Sequence, residues 1–249
     1  MVRPQNPGSD PSQVDKEFSA FSRELVTIHD PAGAASEAYR MLRTNLFYAL
    51  EDAHPQVIVL TSAGPGEGKS TITANLGVTL AQAGKDTLLV DGDLRKPRLY
   101  TYFGMRNLEG LVDVLIGETA LQEIYREVMP GLKLVTPGLL PPNPAELLSS
   151  RSLAEFFGQV RPHFAYILVD TPPIGQVADS AILAANADGA LLVLDSQRTS
   201  KRSIRQALHT LEGVRAHMLG VVMNNYSPPG DGYSYPDGFP SGYSQYGAK

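Results

Sequence analysis

Apolar positions along the chain follow two different periods. Between Ser36 and Leu50, Leu42, Leu46 and Leu50 recur four apart with Tyr39 and Phe47 nearby, a spacing that predicts an amphipathic helix with Glu37, Arg40 and Arg43 on its other face. Further on, the pattern becomes short unbroken apolar runs: Val57 to Leu60, Leu88 to Val90, Leu132 to Val135, Ile167 to Val169, Ala190 to Leu194 and Leu219 to Met223. Runs without polar alternation suit strands buried on both faces, and helical stretches separate them. The expected fold class is therefore α/β, a doubly wound, mainly parallel sheet. Between the first two runs, Ile72, Leu76, Leu80 and Ala83 mark one helical face, and Gly84 stands where a left-handed cap would end it.

Both ends break these patterns. Residues 1–31 are polar and proline-punctuated apart from a weak apolar patch from Phe18 to Val26, which predicts a flexible arm, mobile or lightly tethered, before a folded body over 32–225. Residues 226–249 contain no leucine, isoleucine or valine, so this tail is expected to be disordered when unbound, yet it holds five of the eleven tyrosines.

Composition narrows the function. A formal net charge of −5 argues against nucleic acid as the main partner. The absence of cysteine excludes a disulfide framework, a thiolate metal site and a cysteine nucleophile, in keeping with a cytoplasmic setting. No signal peptide is visible and no run approaches the roughly 18 apolar residues of a membrane span, so a membrane role would come through a partner. The five histidines have no metal-ligand spacing, and Lys201, Arg202 and Arg205 read as a solvated helix surface.

The strand from Val57 to Leu60 runs into Thr61-Ser-Ala-Gly-Pro-Gly-Glu-Gly-Lys-Ser-Thr71 and then a helix, which is a P-loop with Ala63 in place of the first glycine. Backbone N–H groups of Gly64, Pro65, Gly66, Glu67 and Gly68, proline excepted, are positioned to close on phosphate oxygens. Lys69 can reach the β- and γ-phosphates, Ser70 can ligate Mg²⁺, and Thr71 continues the helix N-terminus. ATP and Mg²⁺ are the implied cofactors. Two more apolar strands end in acids, Asp91-Gly-Asp93 and Asp170-Thr-Pro-Pro, and the carboxyl ends of neighbouring parallel strands meet at the ligand crevice. Asp170 suits a Mg²⁺ contact. Asn224 and Asn225 follow the last strand, where Asn224 is expected at the nucleotide.

Taken together these motifs resemble the cytoplasmic bacterial tyrosine kinases of capsular and exopolysaccharide synthesis. The likeness spans about Ser36 to Asn225 and includes Asp91-Gly-Asp-Leu-Arg-Lys-Pro97, Gly110-Leu-Val-Asp-Val-Leu-Ile-Gly117, Pro141-Pro-Asn-Pro-Ala-Glu-Leu-Leu148 and Asp170-Thr-Pro-Pro173. The resemblance implies that Asp91 is the base acting on an acceptor tyrosine, that Asp91 and Asp170 organise Mg²⁺, and that Asp93 is a further metal or acceptor-side residue. It implies that Glu37, Arg40 and Arg43 form an oligomerisation motif that builds a homo-oligomeric ring. The acceptors it implies are Tyr233, Tyr235, Tyr243 and Tyr246, phosphorylated in trans by a neighbouring subunit, with room for other protein substrates. It also implies a transmembrane polysaccharide co-polymerase as activator, recruiting the kinase to the inner face of the membrane.

Two rival readings stay open. A partitioning or division-site ATPase switch usually begins its loop Lys-Gly-Gly, whereas here the stretch is Gly64-Pro65-Gly66. A nucleotide-binding scaffold that transfers nothing would not need Lys69 and all three acids.

Overall fold

The computed structural model describes residues 21–49 and 57–227. Seven strands, β1 (Val57–Ser62), β2 (Thr87–Asp91), β3 (Arg126–Met129), β4 (Leu132–Val135), β5 (Tyr166–Asp170), β6 (Gly189–Asp195) and β7 (Met218–Asn224), form one sheet in the order β3-β4-β2-β5-β1-β6-β7. All pairings are parallel except β3 with β4. The sheet is thus the expected doubly wound one. Its six apolar runs became six strands, and β3 is the addition. Arg126-Glu-Val-Met129 is short, charged and half exposed, as an antiparallel edge strand can be, so it lacked the apolar run that marks the others.

Alternate strand residues feed two cores, one on each face. Val57, Val59, Leu88, Val90, Ile167 and Val169 pack under Phe156, Leu183 and Leu211. Ile58, Leu60, Leu89, Leu168, Leu191 and Val193 pack under Leu76, Leu80 and Leu46. The longer helices are α1 (Ala34–Ala49), α2 (Lys69–Gln82), α3 (Arg151–Val160), α4 (Asp179–Ala185) and α5 (Lys201–Gly213). Helix α2 is buried nearly all round, its Ser70, Thr73, Asn75 and Thr79 included, because it is sandwiched between the sheet and α1. It ends as expected, with Gly84 at a φ of 74°.

The N-terminal boundary needs correction. The arm was expected to run to residue 31, but its described part, 21–31, is packed against the body. Leu25 is fully buried, and Asn75 on α2 replaces the backbone partners that this segment lacks. Asn75 Oδ1 accepts from the N–H of Thr27 at 3.1 Å and from its hydroxyl at 2.9 Å, while Nδ2 donates to the carbonyl of Glu24 at 2.9 Å. Ser22 N–H adds a bond to the carbonyl of Tyr102. One buried amide satisfies three polar groups, a contact between residues far apart in sequence that no local pattern announces.

Because Asn75→Ala would leave those groups unpaired in a dry site, it is expected to cost about 1–3 kcal/mol. Hydrogen exchange at residues 24–30 should accelerate before the sheet opens. Unchanged protection there would show that apolar packing alone holds the segment.

Candidate active site

Three adjacent strands, β2-β5-β1, deliver the functional groups to one end of the sheet. Asp91 and Asp170 are register partners at the ends of β2 and β5, and Leu60 of β1 pairs with Asp170. Immediately after β1 the chain turns through residues 63–68 into α2. Gly66 and Gly68 have φ values of 72° and 91°, where an L side chain is strained. A Cβ on Gly68 would also lie 2.2 Å from Asn224 Nδ2. No side chain caps α2, so its first N–H groups are left for a ligand, with the positive end of the helix dipole behind them. A cleft of about 500 Å³ opens there, lined by Pro65, Gly66, Gly68, Lys69, Ser70 and Thr71 of the loop, facing Asp93 and Pro172.

The charges inside are unbalanced. Lys69 Nζ lies 3.5 Å from Asp93 Oδ2, 3.5 Å from Asp170 Oδ1 and 3.2 Å from Ser70 Oγ. Burial alone would depress its pKa, but the charges of Asp170, Asp93 and Asp91 outweigh that and leave it raised, so Lys69 stays cationic. One cation therefore serves three acids. Burial, reinforced by the charge of Asp170, pushes Asp91 well above the ordinary aspartate value, although the N–H of Leu99 and Lys69 pull the other way. Burial likewise raises Asp170, partly offset by Lys69 and Ser70. Asp170 Oδ2 is buried with no hydrogen-bond partner among the described residues.

That orphaned oxygen tests whether Mg²⁺ fits. Hard oxygen donors from Asp170 and Ser70, with Asp91 adjoining, suit Mg²⁺, which binds through one or two carboxylates plus substrate phosphates.

Each expected residue can now be placed. Lys69, Ser70, Asp93 and Asp170 converge as anticipated. Asp91 converges too but is closed off: it has no exposed surface, and its carboxylate accepts from Leu99 N–H at 2.9 Å and Asp93 N–H at 3.4 Å. The acid that meets the cleft is Asp93. Thr71 shares its hydroxyl with Tyr102 at 2.8 Å.

Asn224, expected at the nucleotide, lies outside the cleft lining and braces the loop, and so does the side chain of Glu67, whose backbone N–H is the group expected at the phosphates. Asn224 Nδ2 donates to the Glu67 carbonyl at 3.0 Å, and Glu67 Oε1 accepts from Thr199 Oγ1 at 2.6 Å. Arg198, which the sequence did not single out, donates to the Gly66 carbonyl at 2.6 Å and to Asp195 Oδ2 at 2.9 Å. These bonds hold loop carbonyls, leaving the N–H groups for the ligand.

The helix motif is only partly free. Arg40 pairs with Glu37 at 2.7 Å and also reaches the Pro31 carbonyl, while Arg43 turns inward to the Thr79 carbonyl at 3.0 Å. The three therefore do not present one open face. Tyr233, Tyr235, Tyr243 and Tyr246 lie outside the described residues.

Comparisons with known proteins converge. The ParA family model, described as NUBPL iron-transfer P-loop NTPase, matches residues 54–229. The tyrosine-protein kinase YwqD of Bacillus subtilis is 40% identical over 207 residues, covering 83% of this chain and 87% of the relative. The putative tyrosine-protein kinase EpsB of Ralstonia solanacearum is 41% identical over 94% of this chain, which spans only 32% of that longer protein. The kinase domain of Escherichia coli tyrosine kinase ETK superposes with a TM-score of 0.77 at 26% identity, covering 92% of each chain. The septum site-determining protein MinD of Pyrococcus horikoshii, solved with Mg-ADP, shares the fold at a TM-score of 0.60 and 25% identity, over 70% of this chain and 74% of its own.

Two measurements test the site. Removing one acid from the unbalanced cluster relieves repulsion, so Asp170→Asn should raise the melting temperature of the nucleotide-free protein by a few degrees at pH 8. A carboxyl whose folded pKa is raised above 3.8 costs stability at high pH and nothing below that value. The gain should accordingly shrink as pH falls towards 4, and a gain independent of pH would exclude electrostatic relief. Separately, Arg198→Ala should weaken nucleotide binding about fivefold, on the order of one hydrogen bond of about 1 kcal/mol. Arg198→Lys should recover part of that, measured with a fluorescent ADP analogue.

Proposed function

The chain belongs to the ParA-like P-loop NTPases and, among them, to the bacterial tyrosine-protein kinases, and from that premise we propose that it transfers the γ-phosphoryl group of ATP to tyrosines of its own C-terminal tail, in trans, in the control of capsular or exopolysaccharide synthesis. The observation that carries this is the meeting of Lys69, Ser70, Asp93 and the unpartnered oxygen of Asp170 at the P-loop, with Asp91 directly behind. Without cysteine, the chain supplies no thiolate for iron.

The loop N–H groups and Lys69 hold the triphosphate of ATP. Mg²⁺, held by Ser70, Asp170 and Asp91, would supply charge neutralisation at the phosphates. The tyrosine oxygen forms a bond to the γ-phosphorus as the bond from that phosphorus to the ADP oxygen breaks, and Lys69 offsets the charge left on ADP. The phenolic proton passes to Asp91 as transfer proceeds. Its bond from Asp93 N–H, at 3.4 Å the weaker of its two, is the one a hydroxyl would displace. A second assignment of the base, to Asp93, is favoured by its direct access to the cleft.

A ring of subunits would bring one tail to a neighbour's cleft. Glu37 and Arg40 remain at the surface to build it, once the pair between them is exchanged for pairs across the interface. None of the described helices is long and apolar enough to cross a membrane, and we assign recruitment to the inner membrane face to a transmembrane polysaccharide co-polymerase that also activates transfer.

The rival switch reading is weakened by the loop, which lacks the extra lysine, and by the tyrosine-rich tail, which a switch does not need. Mass spectrometry of the protein incubated with MgATP decides between them. Phosphotyrosine is expected in the tail, absent in Lys69→Met and reduced at least a hundredfold in Asp91→Asn, the scale of a lost general base. A larger loss in Asp93→Asn than in Asp91→Asn would move the base to Asp93. ATP hydrolysis without phosphotyrosine, even with the cytoplasmic part of an activator, would make the protein a switch.

A further inference from the structure

Three cations follow the two acids of the second motif, and all three line the cleft: Arg95, Lys96 and Arg98. Their situations differ. Arg95 is committed to a two-pronged contact with buried Asp179 at the start of α4, at 2.8 and 3.1 Å. Lys96 and Arg98 are exposed and have no ion pair among the described residues. Lys96 and Arg98 are thus two unpaired cations at the mouth of a cleft whose lining also carries Glu24 and Asp93, in a chain of net charge −5.

Their position is fixed to the chemistry. Lys96 N–H donates to Asp93 Oδ1 at 2.9 Å, and Leu99 N–H, one residue beyond Arg98, donates to Asp91 Oδ2 at 2.9 Å. The two cations are therefore rooted in the segment that wraps the carboxylates. A tyrosine hydroxyl brought to those carboxylates would lay its flanking residues over the same segment. Two residues of extended chain span about 7 Å, a distance that long lysine and arginine side chains can close.

The tail sequence holds a matching feature. In Asp231-Gly-Tyr233-Ser-Tyr235-Pro-Asp237, each tyrosine has an aspartate two residues away, Tyr233 before it and Tyr235 after it. Residues 238–249, which hold Tyr243 and Tyr246, contain no aspartate or glutamate, and Lys249 lies three beyond Tyr246. The four candidate acceptors therefore divide by charge into an acidic pair and a neutral-to-basic pair.

We propose that Lys96 and Arg98 form a specificity rim for acceptor tyrosines with an aspartate two residues away, so that Tyr233 and Tyr235 of a second copy are taken before Tyr243 and Tyr246. This rests on the kinase assignment above. Rim charges act chiefly on encounter and register, and two exposed pairs together give a preference of about fivefold, falling with salt.

The test uses the full-length chain with MgATP and follows the occupancy of each tyrosine over time by mass spectrometry. The first pair should fill about fivefold faster than the second. The double variant Lys96→Ala/Arg98→Ala and the double variant Asp231→Asn/Asp237→Asn should each bring the ratio close to one, and combining all four should change nothing further. Arg98→Lys should keep the preference, which a purely structural role for that residue would not foretell. A second arm needs no transfer: a fluorescent peptide of residues 228–240 should bind the MgADP-loaded protein several-fold more tightly than its asparagine-substituted form, and 0.5 M salt should erase the difference. Equal filling rates, or equal peptide affinities where no phosphotyrosine forms, would overturn the rim. Absence of phosphotyrosine even with the cytoplasmic part of an activator, together with a retained peptide preference, would overturn phosphotransfer and leave Lys96 and Arg98 as a docking site for the acidic segment only.

Discussion

Everything at the catalytic end of this molecule depends on one lysine shared among three buried acids. Lys69 is 3.5 Å from both Asp93 and Asp170, and all three acids raise its proton affinity against the effect of burial. An apolar sheet end would be cheaper to fold, because each buried carboxylate costs several kcal/mol unless fully compensated. Here compensation is incomplete: Asp170 keeps an oxygen with no partner among the described residues, and Asp91 is held well above its normal pKa. An incompletely neutralised acid cluster beside uncapped N–H groups is a site built to receive a cation together with an anion. Magnesium and a nucleotide phosphate are such a pair.

The fold exists to make that meeting unavoidable. Two apolar cores clamp the sheet from both sides, so β1, β2 and β5 cannot slip by one residue without exchanging the residues of one core for those of the other. The register that pairs Asp91 with Asp170 is thus enforced by Leu89, Val90, Leu168 and Val169, which have no chemistry of their own. Turning outward from the strand ends, the 95–98 segment carries charge to the rim while its backbone amides hold the acids. Local hydrogen bonding and substrate selection are properties of the same few residues.

How much of this was legible depended on the distance over which each signal acts. The six unbroken apolar runs announced six strands because burial on both faces is written locally, and the P-loop was visible because its glycines, lysine and serine are contiguous. Edge strand β3 was hidden by Arg126 and Glu127, which its exposed edge tolerates. The anchoring of residues 21–31 was hidden because it hangs on Asn75, some fifty positions away. The same applies to Glu67 and Asn224. Their places in sequence suggested the nucleotide, yet the side chain of one and the amide nitrogen of the other are spent on loop geometry, which only the tertiary structure assigns.

That bracing has one more consequence, since it reaches the root of the tail. Asp195 Oδ2 accepts from Arg198, which holds the Gly66 carbonyl, and also from Asn225 Nδ2 at 3.0 Å. The Asn225 carbonyl in turn accepts from Ser196 Oγ at 2.7 Å and Gln197 Nε2 at 3.2 Å, and Asn225 has a φ of 54°, in the left-handed region. A non-glycine residue stays there only when its surroundings over-determine it. The backbone at residue 225 is thus fixed by the same turn that fixes the P-loop, directly before the tyrosine-rich segment begins. From Asn225 through Asp195 and Arg198, three hydrogen bonds lead to the Gly66 carbonyl of the P-loop. Asp195 is thus shared between the P-loop brace and the residue that leads into the tyrosine-rich segment.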